Sequence, residues 1–163
     1  MFSVFLPVVF MVGLTLTVLG RLPQIRAAEV KKDPPLLQRA AMDGTLFSMT
    51  SQQHAANLAN LMQLPVLFYV AALFAILFGA TNWWTGLLSW TFVLSRIAHT
   101  TIHVRHNVVM QRFAAFLVGF VALVLLWITL VFEAGDSLVF SLDEFEERRE
   151  LFEERGAAPA LLP

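Results

Sequence analysis

Four long apolar runs separated by polar stretches set the pattern of this chain, at about residues 2–20, 57–79, 83–104 and 112–132. Each approaches the roughly 20 residues a helix needs to cross a bilayer. The pattern predicts an all-α chain, an integral membrane four-helix bundle over residues 1–135, followed by an acidic tail over 136–163. A cleaved signal peptide is the rival reading of the first run. No Lys or Arg precedes it, however, and it is long for a signal core. A retained helix is therefore expected.

The connections refine this picture. Arg21 to Thr50 reads as a loop, with Pro34-Pro35 and Asp43-Gly44 as breakers and a short helix around Leu36 to Met42. Ala71, Ala75 and Gly79 form a small-residue ridge suited to close helix approach. Gly79 to Gly86 reads as a tight turn, with Asn82 as a turn residue and Trp83-Trp84 as interface anchors. Asn107 is the one evident breaker before the fourth run. In the tail, Ser141 with Glu144 fits a capping box. Leu142, Phe145, Arg149 and Phe152 share one face, and Gly156 fits a helix stop. A short amphipathic C-terminal helix is expected there.

Composition supports a membrane setting. The hydrophobic fraction is 58% and the charged fraction 14%, against roughly 45–50% and 25% in soluble domains. Charge is unevenly spread. Residues 1–132 carry eight Lys/Arg and three acids, whereas residues 133–163 carry three Arg and nine acids. The first connection holds Arg21, Arg26, Lys31, Lys32 and Arg39, and the third holds Arg105 and Arg112. By the positive-inside rule, both face the cytoplasm and both termini face the other side. The acidic tail disfavours nucleic acid as a partner. With no cysteine, disulfides and a protein-borne thiol nucleophile are excluded.

The third run contains the main chemical signal. Arg96, His99, His103 and Asn107 share one helical face within an otherwise apolar segment. An arginine at membrane depth costs roughly 2.5–3.5 kcal/mol on insertion scales, so such residues turn toward a bundle interior or a polar pocket. Three readings remain open. The stripe could hydrogen-bond neighbouring helices and fix packing. His99 and His103, four apart, could ligate a metal, but no acid lies in a span before Glu133 and Arg96 repels cations, so no metal is assigned. Arg96, His99, His103 and Arg112 could instead hold a carboxylate- or thiolate-bearing ligand. The second run opens with Gln53, His54, Asn57, Asn60 and Gln63, whose amides could bond a peptide-like ligand or another helix.

The stretch from Asn60 through Gln63-Leu64-Pro65 to Tyr69 resembles the second-helix signature of the MAPEG family, membrane-associated proteins in eicosanoid and glutathione metabolism. Arg96-Ile97-Ala98-His99, continuing through His103 and Asn107 to Arg112-Phe113, resembles its third-helix signature and the start of its fourth helix. The match is closest to the family's bacterial branch, which implies a bacterial inner membrane. The resemblance implies a left-handed four-helix bundle assembled as a homotrimer in the lipid bilayer. It implies glutathione as co-substrate, bound between subunits near the cytoplasmic face, and a lipophilic small molecule as its reaction partner.

Arg112 falls on the family's thiolate-stabilising arginine. Arg96 and His99 match the third-helix motif, and His103 falls where the family's eukaryotic enzymes commonly carry a glutathione-contacting tyrosine. Asn60, Gln63 and Arg21 complete the substrate-binding set by the same resemblance. The chain also departs from the pattern. Gln63 replaces an acid, and Ala56 and Ala59 stand where arginines are expected. Losing two cations should weaken glutathione binding. The two expectations are therefore a glutathione-dependent transferase or peroxidase acting on lipophilic electrophiles, and a non-catalytic membrane protein using the polar face for trimer assembly or an anionic lipid.

Overall fold

The computed structural model describes residues 2–154. They form helices α1 (Phe2–Lys32), α2 (Leu36–Ala40), α3 (Met49–Leu61), α4 (Leu64–Leu77), α5 (Trp83–Arg105) and α6 (Val109–Glu154), with a 3₁₀ turn at Gly44–Leu46. The described residues contain no strand. In space α3 and α4 act as one rod, and α1, α3–α4, α5 and α6 pack as a four-helix bundle. By length and composition, Val4–Lys32, Met49–Leu77 and Val109–Gly135 can each cross a membrane. Their large apolar side chains, such as Leu16, Leu73 and Val131, face outward. Lipid is the solvent that makes this surface affordable.

The third run does not meet that apolar standard, although α5 has the required length of 23 residues. Thr85, Ser89, Ser95, Arg96, His99, Thr100 and His103 lower its hydropathy, and all seven are buried. Their burial explains why the helix is tolerated. It presents its polar side to α1, α3 and α6 rather than to lipid.

Two helix boundaries differ from the pattern-based reading. The second run is not continuous, because α3 ends at Leu61 and Gln63 leaves helical geometry, with φ −100° and ψ −84°, ahead of Pro65. A proline inside a helix removes one N–H and clashes with the preceding turn. The chain restarts with Pro65 in the first turn of α4, where that loss is harmless. The expected loop after Gly20 is also largely helix, since α1 runs through Pro23 to Lys32. Glu29 anchors the extension by accepting from Ser48 N at 2.9 Å and Ser48 Oγ at 2.6 Å. Ser48 Oγ in turn caps α3 by accepting from Ser51 N at 3.3 Å. Arg26 lies over the Phe47 ring at 4.6 Å, closing the same corner.

The tail expectation needs correction as well. No separate short helix follows the fourth run, because α6 continues unbroken to Glu154. Nothing between Phe132 and Glu154 is a strong breaker, so the helix propagates. Ser141 is therefore inside a helix rather than capping one, and Gly156 lies outside the described residues. At the other end of the bundle, Asn82 Oδ1 accepts from Trp84 N and Thr85 N, each at 3.0 Å, and starts α5. Asn82 Nδ2 also donates to Glu133 at 3.3 Å, tying this turn to α6.

The apolar core lies between α1, α4, α5 and α6, around Met11, Phe68, Phe92 and Leu126. Phe68 and Phe92 stack at 4.7 Å. Ala71 and Ala75 are fully buried, as a packing ridge requires. Gly79 is not part of that ridge. It is exposed with φ +70°, and it ends α4 in the left-handed conformation that glycine adopts freely.

Candidate functional site

The polar stripe on α5 meets α6 along one seam. Arg96 is only 1% exposed. Its Nη2 donates to the Phe116 carbonyl at 3.1 Å, and its guanidinium lies 4.9 Å from the Phe116 ring and 5.6 Å from the Phe92 ring. It fits there because α6 has Gly119 opposite. A Cβ at Gly119 would stand 2.1 Å from Ser95 Oγ and 3.0 Å from Arg96 Nη2. The missing side chain forms the slot that admits the guanidinium.

His99 follows one turn later, 4% exposed, with its ring 5.7 Å from that of His103 and 6.3 Å from that of Phe116. His103 then meets Arg112. Arg112 Nη1 approaches His103 Nε2 at 3.1 Å and donates to Asn107 Oδ1 at 2.8 Å. A guanidinium can only donate, so His103 Nε2 is the acceptor and its hydrogen resides on Nδ1. Asn107 makes this possible through its backbone. With φ +47° it reverses the chain after α5, and its N–H bonds the Ile102 carbonyl at 2.7 Å. Its side chain is thereby returned toward the first turn of α6.

A second polar group faces α5 from α3. Thr100 Oγ1 donates to Asn57 Oδ1 at 3.3 Å, and both residues are buried. Three buried polar atoms have no hydrogen-bond partner among the described residues: Asn57 Nδ2, Arg96 Nε and His103 Nδ1. All three are N–H donors. Among the described residues neither Arg96 nor Arg112 has a carboxylate partner. The interior thus has surplus positive potential and surplus donors, and such groups suit an incoming acceptor or anion.

The remaining sequence-selected residues are distributed elsewhere. Asn60 is half-buried and donates to the Ala56 carbonyl of its own helix at 3.1 Å. Gln63 is exposed at the α3–α4 break, and its side chain makes no capping bond. Arg21 is exposed on α1, donates to Gln24 at 3.2 Å, and lines a groove between α1 and α5 rather than the Arg112 cluster. Gly119 and Ser95 were not selected from the sequence. An isolated glycine in an apolar run is the signal that could have flagged the first.

A scan of protein families matches residues 2–132 to the MAPEG family. The chain belongs to the MAPEG family. It is accordingly an integral membrane protein, and the match spans the first three rods of the bundle and α6 as far as residue 132. No curated protein and no solved structure matches the chain. Within this MAPEG chain, the polar face of α5 and the first turn of α6 bring Arg96, His99, His103, Asn107 and Arg112 onto one seam.

Proposed function

We propose that this MAPEG chain is a glutathione-dependent transferase or peroxidase acting on lipophilic electrophiles. The observation that carries the reading is Arg112, a half-buried cation fixed by two neutral acceptors, His103 and Asn107, with no carboxylate partner among the described residues. Such a cation is oriented without being neutralised. A free thiol with pKa near 8.5 is only a few per cent thiolate at neutral pH. Stabilising the anion by roughly 2.7 kcal/mol would lower that pKa by about two units. Arg112 is the group for this task. His103 and Asn107 hold it, and the Arg96 guanidinium adds positive potential to the same seam.

In the transferase reaction the thiolate sulfur would bond to an electrophilic carbon of a substrate from the bilayer, as the strained C–O bond or the π bond at that carbon opens, and water would protonate the anion left behind. In the peroxidase reaction it would take one oxygen of a hydroperoxide, the O–O bond breaking to release an alcohol, and a second glutathione would then displace water to give the disulfide. The opposite end of glutathione has fewer partners, because Ala56 and Ala59 provide no cations. Weak binding, on the order of millimolar, is expected. The exposed Gln63 amide favours an oligomer, since a neighbouring subunit rather than lipid would then receive it, and the family resemblance makes that oligomer a homotrimer. The basic connections would be cytoplasmic and the acidic extension of α6 would project from the opposite face, in a bacterial inner membrane.

The test is calorimetry of the purified protein with glutathione and with an analogue lacking the sulfur. Tighter binding of the thiol form, lost in Arg112→Ala, is expected. Equal binding of both ligands, or none at millimolar concentration, would refute thiolate stabilisation. A second reading assigns the polar face to subunit assembly or an anionic lipid, without chemistry. The alanines at 56 and 59, which offer no cation to a glutathione carboxylate, favour it. On that reading Arg96→Ala or His99→Ala disperses the oligomer in mild detergent.

A further inference from the structure

The groove between α1 and α5 is separate from the Arg112 cluster, with an open volume of about 650 Å³. One end is lined by Arg21 and Gln24 of α1 and by Arg105 of α5, and His54 of α3 also contributes. Leu16, Val18 and Val104 continue the wall. Thr17 and Thr101 add little polarity, because their hydroxyls donate back to Gly13 O at 2.7 Å and Ile97 O at 2.8 Å within their own helices. Both arginines are exposed, and among the described residues neither has a carboxylate partner. Arg21 spends one N–H on Gln24 and retains the rest of its guanidinium for another acceptor. Two unneutralised guanidiniums thus lie beside an apolar wall on the outer surface of a membrane bundle.

We propose that this groove binds one anionic membrane phospholipid per protomer. Its phosphate meets Arg21 and Arg105, and its acyl chain lies against Leu16, Val18 and Val104. Charge complementarity selects the headgroup, since guanidinium forks match phosphate oxygens. The apolar wall selects a lipid over a soluble phosphate, because only a lipid also covers that surface. The site requires neither glutathione nor Arg112.

Native mass spectrometry of the full chain, delipidated in detergent and then given equal amounts of phosphatidylglycerol and phosphatidylcholine, tests this. One retained phosphatidylglycerol per protomer is expected, favoured by about ten-fold over phosphatidylcholine. The pair Arg21→Gln/Arg105→Gln should abolish the preference, and Arg21→Lys/Arg105→Lys should keep most of it. Equal retention of the two lipids by the unmodified chain would overturn the proposal. So would an unchanged preference in the glutamine pair, or displacement of the lipid by equimolar inorganic phosphate. Arg112→Ala should leave the lipid bound, so that failure of the thiolate reading and failure of this one are distinguishable. Loss of the lipid in a folded Arg112→Ala protein would count against a separate site.

Discussion

Arg96 and Arg112 are both arginines of the apolar half of the sequence, yet the fold treats them differently. Arg96 is sealed between two aromatic rings, a backbone carbonyl and the face of a glycine. Arg112 stands half-open at the end of the same seam, held only by side chains. A backbone carbonyl inside α6 cannot leave without unravelling the helix. A histidine nitrogen and an asparagine oxygen can turn away when a stronger acceptor arrives. The difference gives the two arginines different capacities: Arg112 can exchange its partners for an incoming anion, whereas Arg96 is committed to holding α5 against α6. The comparison is sharpest in a pair of matched substitutions. Arg112→Met should remove about 100-fold of thiolate preference, roughly 2.7 kcal/mol, and leave stability within about 0.5 kcal/mol. Arg96→Met should leave thiolate formation nearly intact, and stability unchanged or raised, because an apolar chain of similar length replaces a costly buried charge. Thiolate absorbance of bound glutathione and thermal unfolding in detergent give both readouts. A folded Arg96→Met protein unable to form thiolate would reverse the assignment.

Much of this fold was legible as periodicity. The apolar runs mark the rods, and the inward orientation of Arg96, His99 and His103 follows from the cost of exposing them to lipid. What pattern could not give is where helices stop. Pro65 breaks the second rod, while Pro23 leaves α1 helical to Lys32, where Glu29 and Ser48 fasten the extension to α3. That difference depends on tertiary partners, which proline content alone does not report. The α6 extension was missed because a capping-box motif is local, whereas a helix already formed propagates through it at little cost. In the site, the stripe was visible as spacing on one helix. Its partners on α6, Gly119 and the Phe116 carbonyl, were not, since close approach of two backbones leaves only a glycine in the sequence.

That glycine offers the next way to break the comparison. Gly119→Ala would thrust a methyl group within 2.1 Å of Ser95 Oγ and 3.0 Å of Arg96 Nη2. Neither neighbour can retreat far, because Ser95 and Arg96 are both buried. Overpacking of this kind costs about 1–3 kcal/mol. The α5–α6 seam should loosen, and thermal unfolding in detergent should shift downward accordingly. Ser95→Ala in the same chain removes the closest contact and should recover part of the loss. Wild-type stability in the single variant would show that the slot is not what admits Arg96.

The smallest effect concerns how Arg112 is held. Asn107 does two jobs, turning the chain at φ +47° and accepting from Arg112 at 2.8 Å. Two substitutions separate them. Asn107→Gly keeps the turn, since glycine tolerates this conformation, but removes the acceptor. Asn107→Ala removes the acceptor and also strains the turn, because a left-handed backbone costs an ordinary residue roughly 1–2 kcal/mol. Stability should therefore fall by about 1 kcal/mol more in the alanine variant than in the glycine variant. Thiolate preference should fall by a similar, modest factor in both, since His103 still holds the guanidinium. Equal stability of the two variants would mean that the turn contributes no strain. If the glycine variant instead lost as much thiolate preference as Arg112→Met, Asn107 rather than His103 would be the anchor, and Arg112 would depend on a single neutral oxygen for its orientation.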